Sequence, residues 1–318
     1  MSHAARDRIV IKGRAEYAAL SRLASFLDRE SPKLVRWLVR FWEDEQNAIT
    51  YQELREALLR GEMSVNELQA WQQDYAVFFN TYLRDILLDS ALSGGQDLLP
   101  AIASGVDVYA PMLAGIENWI TAHGAEWVTQ MSTEGKDAIA TLIQYAANGN
   151  TDVDELSRLI RPLIGLTEPQ AEANLHYFER VAEHLKQSLL DKNPNMSEAA
   201  AERQARKRAR ESALRYAARQ HRERAHTIAQ TELAFAYNKG ALAAVKQAVD
   251  AGLLPRMKGK WSTSADERVC EICGGLEGVE INLGEEFDFK GRSLYAGQKE
   301  TPPAHPRCRC AVAYIEAE

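Results

Sequence analysis

Every cysteine of this 318-residue chain lies beyond residue 269: Cys270, Cys273, Cys308 and Cys310. That crowding constrains the fold of residues 258–318 more than any helical or strand pattern elsewhere in the sequence. A module of about 60 residues encloses little hydrophobic core and needs a staple. The opening residues, 1–13, lack the long apolar stretch of a secretory signal, so the chain is expected to fold in a cytoplasm. There, clustered thiols favour metal over disulfides.

Cys270 and Cys273 form a two-residue-spaced pair followed by Gly274 and Gly275. Glycines after such a pair let backbone N–H groups turn toward the sulfurs of a zinc knuckle. The second half of the set is His305-Pro-Arg-Cys308-Arg-Cys310. Tetrahedral Zn²⁺ takes four N or S ligands, so five candidates are one too many. The preferred set is Cys270, Cys273, His305 and Cys308, with Cys310 in reserve, because alternation along an extended segment would point His305 and Cys310 to different sides. Four closed ligands make the zinc structural. A catalytic zinc needs an open position and a general base, for which Glu271 or Asp266 would have to serve. A nucleophilic cysteine fits a symmetric two-pair set poorly.

Helix signals fill the rest of the chain. Thr50 with Glu53 and Ser64 with Glu67 read as capping boxes, Ser31 before Pro32 as a helix start, and Thr151 and Thr167 as the openings of 152–162 and 168–190. Trp37, Trp42, Trp71, Phe78, Phe79 and Tyr82 fall within the early helices and read as core. Ser197 to Arg224 has no Gly or Pro and is rich in Ala, Arg and Glu, as a long exposed helix is. From His226 an apolar stripe through Ile228, Phe235, Leu242, Val245 and Val249 runs to a stop at Gly252 and Pro255. Beyond Lys258, frequent glycines and short runs such as 279–281 and 287–289 indicate an irregular α+β module. The expected fold is therefore mainly α: an N-terminal helical domain over 1–149, a central helical region over 150–257 with a long basic helix at 197–225, and a small zinc-binding α+β module over 258–318.

With a net charge of −7, the chain as a whole does not suit a surface that coats nucleic acid or anionic lipid. Between Glu202 and Arg224, however, nine basic residues face three acidic ones, a local charge of +6. On a helix, Arg208, Arg215, Arg219 and Arg222 share one face, and Arg203, Arg206, Lys207 and Arg210 an adjoining one. Such an array can follow a phosphate backbone without reading bases. The most membrane-like window, 98–116, is interrupted by Pro100, Gly105, Asp107, Pro111 and Gly115, so no membrane span is expected. No P-loop, no GxGxxG after a strand, no GxSxG and no HExxH occurs, which leaves the common nucleotide and hydrolase chemistries without their residues.

The run from Trp261 through Asp266, Cys270 and Cys273, then Leu276 to Gly278, then Pro302-Pro303-Ala-His305-Pro306-Arg-Cys308-Arg309-Cys310, resembles the phage Mu F-like head morphogenesis, or minor head protein, family. Upstream, Ile228-Ala-Gln-Thr231-Glu232, Tyr237-Asn238-x-Gly240 and Ile164 to Thr167 look like the family's helical part, so the resemblance covers roughly residues 120 to 312. Gln230 departs from it, since related chains often carry Arg before the Thr-Glu pair. The resemblance implies a minor capsid protein of a bacteriophage virion, made in the host cytoplasm and located in the capsid interior near the portal. There it would assist head assembly and genome packaging or delivery, without enzymatic activity. Its partners would be the portal and other head proteins, with non-specific contact to packaged double-stranded DNA. Trp119, Ile120 and Trp127 are candidates for the portal contact. Two alternatives from other classes are a zinc-dependent hydrolase or nuclease and a cellular DNA-binding zinc protein.

Overall fold

A computed structural model describes residues 13–62, 73–98, 109–148, 153–264, 269–289 and 299–317. The chain is mainly helical, with a small sheet near its end, as the sequence predicts. In order come α1 (Arg14–Ala48), α2 (Tyr51–Arg60), a helical stretch from 73 that passes through a π-helical turn (Phe79–Leu83) into α3 (Arg84–Leu98), α4 (Tyr109–Asn148), α5 (Val153–Ile160), α6 (Glu168–Lys192) and α7 (Glu198–Asp250). The last segment carries β1 (Met257–Ser262), a single turn α8 (Glu271–Gly274), β2 (Glu280–Asn282) and β3 (Ala311–Glu316).

Two of the sequence-read helix starts are present as capping boxes. Thr50 accepts the Glu53 N–H at 3.2 Å while the Glu53 carboxylate accepts the Thr50 N–H at 2.7 Å, and Gln170 accepts the Thr167 N–H at 3.1 Å. Each satisfies N–H groups that a helix start leaves without partners. The Ser64 box and the Thr151 start lie outside the described residues. The expected start at Ser31 is not a start, because α1 runs through Pro32 without a break. Leu34, Leu38 and Trp42 continue the buried stripe of Leu23, Phe26 and Leu27, and that burial outweighs the one backbone hydrogen bond a proline forfeits. The expected helix stop is present: α7 ends at Asp250 and Gly252 takes a left-handed φ of 70°.

The chain groups into two compact units. One comprises residues 35–81 and 124–226. In its core Trp42 donates its indole N–H to the Tyr75 hydroxyl at 3.2 Å, and Trp127 packs on Tyr75, Phe78 and Phe79. A second layer, Leu54, Leu142, Leu166, Leu175 and Ala217, is wholly apolar. Between residues 201 and 217 the buried residues of α7 are alanines at every fourth position, and Ala209 and Ala213 pack against Phe178 of α6. Small residues at that spacing let two helices approach closely. Trp42, Phe78 and Phe79 are core as expected; Trp37 and Tyr82 are exposed instead, and Trp71 is outside the described residues.

The other unit comprises residues up to 34, 82–123 and 227–318. Its small sheet is antiparallel in the order β2-β1-β3, with Trp261 opposite Val312 and Gly259 between Ile281 and Tyr314. The run at 279–281 overlaps strand β2, but 287–289 is not a strand. Phe287 and Phe289 leave the sheet and close edge-on over Trp261, burying all three rings in the module's own core. Lys260 reaches Glu16 of α1 at 2.9 Å, and Glu300 pairs with Lys246 of α7 at 2.7 Å.

Candidate metal centre

The one-turn helix α8 is opened by Cys270, whose sulfur accepts the Cys273 N–H at 3.4 Å, as an N-cap oxygen would. Gly274 and Gly275 then return their N–H groups to the Cys270 and Glu271 carbonyls. One backbone N–H, that of Cys273, thus turns toward a sulfur as the spacing predicts, while the glycine N–H groups turn to carbonyls instead. Across from it, Cys308 donates its N–H to the His305 carbonyl at 3.1 Å, and Arg307 lies at φ 59°. Residues 305–308 therefore form a tight turn with proline second and a positive φ third. The segment is therefore not extended, as alternation along it would require, and the turn puts His305 and Cys308 on the same side.

All five sequence-read candidates meet. The ligand atoms of Cys270, Cys273 and His305 lie within 4.8 Å of one another, and so do those of Cys273, Cys308 and Cys310. Cys273 belongs to both groups. Its sulfur is 3.3 Å from His305 Nε2 and 3.7 Å from Cys308 Sγ. The edges of a zinc tetrahedron built from ordinary bond lengths are about 3.5 Å for S to N and about 3.8 Å for S to S. The donor set and its spacing thus fit a metal ion of the zinc type. Cys273, Cys308 and Cys310 are buried, and Cys270 is half-buried.

Hydrogen bonds from Cys273, Cys310 and His305 hold the Cys308 thiol well below its usual range. The same Cys308 sulfur pushes His305 up to about 9, against the opposing effect of burial, and pushes Cys273 up. The proton on the other ring nitrogen of His305 is fixed as well, because Nδ1 lies 2.8 Å from the Pro306 carbonyl, which can only accept. Nε2 is the nitrogen that faces the sulfurs.

Thr231 is the residue here whose role the sequence did not reveal. It stands within the Thr-Glu pair of α7, and its hydroxyl accepts the Arg307 N–H at 3.0 Å while donating to the Thr227 carbonyl at 2.7 Å. Glu232 beside it meets His123 of α4 at 2.5 Å. Of the two candidate bases, Glu271 is the first residue of α8 and Asp266 lies outside the described residues.

On α7, Arg203, Lys207, Arg208, Arg215, Arg219 and Arg222 are exposed, and Arg210 is half-buried. Arg219 lies over the Tyr216 ring at 5.0 Å. Arg206 is committed inside the chain, bonded to Glu155 at 2.8 Å. Arg224, counted in the basic stretch, is buried: it stacks on Trp42 at 5.2 Å and bonds Glu134 at 2.5 Å and the Gly165 carbonyl at 2.6 Å. Ile120 and Trp127 are buried, so these two do not offer the outward apolar surface expected for a portal contact, whereas Trp119 is half-buried and stacks on His123. Among the described residues, no helix is long and apolar enough to cross a membrane.

Residues 178–313 match the family model described as Phage Mu protein F like protein. The matched stretch contains the greater part of α6, all of α7 and the whole Cys/His cluster, and it bears out the resemblance read from the sequence over those residues. No curated protein and no solved structure matches the chain.

Proposed function

We propose that this chain, similar to the phage Mu F proteins over residues 178–313, is a bacteriophage minor capsid protein that acts in head morphogenesis. In this reading it sits inside the capsid near the portal, contacts the portal and other head proteins, and assists assembly and genome packaging or delivery. The observation that carries it is the joint occurrence of the family match and the Cys/His cluster within one segment. The 258–318 module would hold one structural zinc on Cys270, Cys273, His305 and Cys308, with Cys310 as the substitute for the fourth place.

Zinc would supply folding free energy and no chemistry, because a donor set this rich closes the tetrahedron with no position for a reactive water. The exposed arginines of α7 (Arg203, Arg208, Arg215, Arg219 and Arg222, with Lys207 and the half-buried Arg210) support non-specific contact with packaged DNA. Arg206 would contribute little, being tied to Glu155.

The test is genetic. A phage deleted for this gene should yield few heads, or heads that contain DNA and infect poorly, and the protein should co-purify with the portal. Normal, fully infectious virions in its absence would contradict the role.

A further inference from the structure

We infer that Thr231 is a positioning residue for the metal centre: through the Pro306–Arg307 peptide, it sets the ring orientation and proton placement of His305. The inference rests on the zinc reading of the cluster and goes beyond its ligand list.

In the turn at 305–308, the peptide between Pro306 and Arg307 can face either way. One orientation gives the third residue a negative φ, which any side chain accepts; the other gives it a positive φ, which favours glycine. Here the third residue is an arginine at φ 59°, the only non-glycine residue with positive φ among those described. Two hydrogen bonds hold the peptide in this disfavoured orientation. At one end the Arg307 N–H donates to Thr231 Oγ1 at 3.0 Å. At the other end the Pro306 carbonyl accepts His305 Nδ1–H at 2.8 Å. Thr231 is only 4 % exposed and its own proton is used on the Thr227 carbonyl, so its oxygen is fixed as an acceptor.

A flipped peptide would turn the Pro306 oxygen away from the imidazole. His305 would lose the bond that keeps its proton on Nδ1, and with it the reason for Nε2 to point at Cys273, 3.3 Å away. Histidine ligands commonly donate their second nitrogen to such an outer acceptor, and loss of that support weakens metal binding. The Thr of the Thr-Glu pair thereby links α7 to a ligand 74 residues downstream, using only backbone and hydroxyl groups.

The experiment measures Zn²⁺ affinity of the full chain by chelator competition, with Co²⁺ absorption as a second readout of ligand geometry and far-UV dichroism as the folding control. Thr231→Val should weaken Zn²⁺ binding at least about tenfold. Thr231→Ser should restore it, and so should Thr231→Val combined with Arg307→Gly, since glycine takes positive φ without the clamp. Should Thr231→Val fail to fold, Arg307→Val carries the test with Thr231 intact. A β-branched residue resists positive φ and should weaken binding in the same way. Wild-type affinity in either valine variant, or no rescue by Arg307→Gly, overturns the inference. A wild-type chain that takes up no Zn²⁺, or a Cys273→Ser chain that binds it as tightly as wild type, overturns the zinc reading itself.

Discussion

Gly240 of α7 lies so close to α3 that a Cβ placed on it would sit 1.9 Å from the carbonyl oxygen of Ala91. The relation is reciprocal, since a Cβ on Gly94 would sit 2.0 Å from the carbonyl oxygen of Tyr237. Two helix backbones interlock through their glycines, and neither obstructing atom belongs to a movable side chain. Gly240→Ala should force the helices apart and lower stability by about 2–3 kcal/mol, read as a shift of the denaturation midpoint. Gly115→Ala, with open space around its Cβ position, should be neutral or slightly stabilising in the same α-helical setting.

Arginines on α7 divide by burial. Arg224 has a side chain 5 % exposed and depends on Glu134, so Glu134→Ala leaves a nearly buried cation short of its partner. A loss of about 2–3 kcal/mol is expected, somewhat less than for a fully enclosed pair because Glu134 retains some contact with water. Arg219→Ala, on the exposed face, should change stability by less than about 0.5 kcal/mol. Thermal melts of the two variants compare them directly.

Glu45 of α1 is pushed up to about 7 by burial first, and then by the charges of Asp74 and Asp44. Its folded value thus exceeds its unfolded one. The stability it contributes is complete below about pH 4.5 and is lost as the pH rises through 7. Glu45→Gln should remove that loss and raise stability at pH 8 by about 1–2 kcal/mol, the full effect being reduced by partial solvent access. A variant with no advantage at pH 8 would show that burial and the neighbouring carboxylates do not hold Glu45 above its ordinary range.

Reversal of Arg208, Arg215, Arg219 and Arg222 to Glu changes four exposed positions on one face of α7 and should leave the fold intact. If that face meets phosphates, wild-type affinity for duplex DNA should fall about 10² between 50 and 200 mM salt, with little preference among sequences, and the reversed chain should not be retained. Retention of the reversed chain would assign the arginines to solvent alone.

The features legible in the sequence are those in which cause and effect lie close together along the chain. Cys270 and Cys273 declare a knuckle by spacing and following glycines, and Thr50 declares a helix start because its partner is Glu53. Ser31 and Pro32 carried an equally local signal and misled, since the burial of Leu34, Leu38 and Trp42 decides that the helix continues. Distance hides the remainder. Nothing local in Gly240 points to Ala91, nothing in Thr231 points to Arg307, and the pairing of β1 with β3 joins segments about fifty residues apart with little alternation to reveal it. The turn at His305 was partly visible in Pro306, but an arginine at positive φ is not what a sequence pattern suggests.

The zinc content of the purified chain bears most directly on the central claim. Native mass spectrometry of protein prepared without chelator should find one zinc per chain. Cys273→Ser should abolish it and release the 258–318 module while the helical far-UV signal remains, and Cys310→Ser should be tolerated better than Cys308→Ser. A metal-free mass for the wild-type chain, with the module nonetheless folded, would contradict the account.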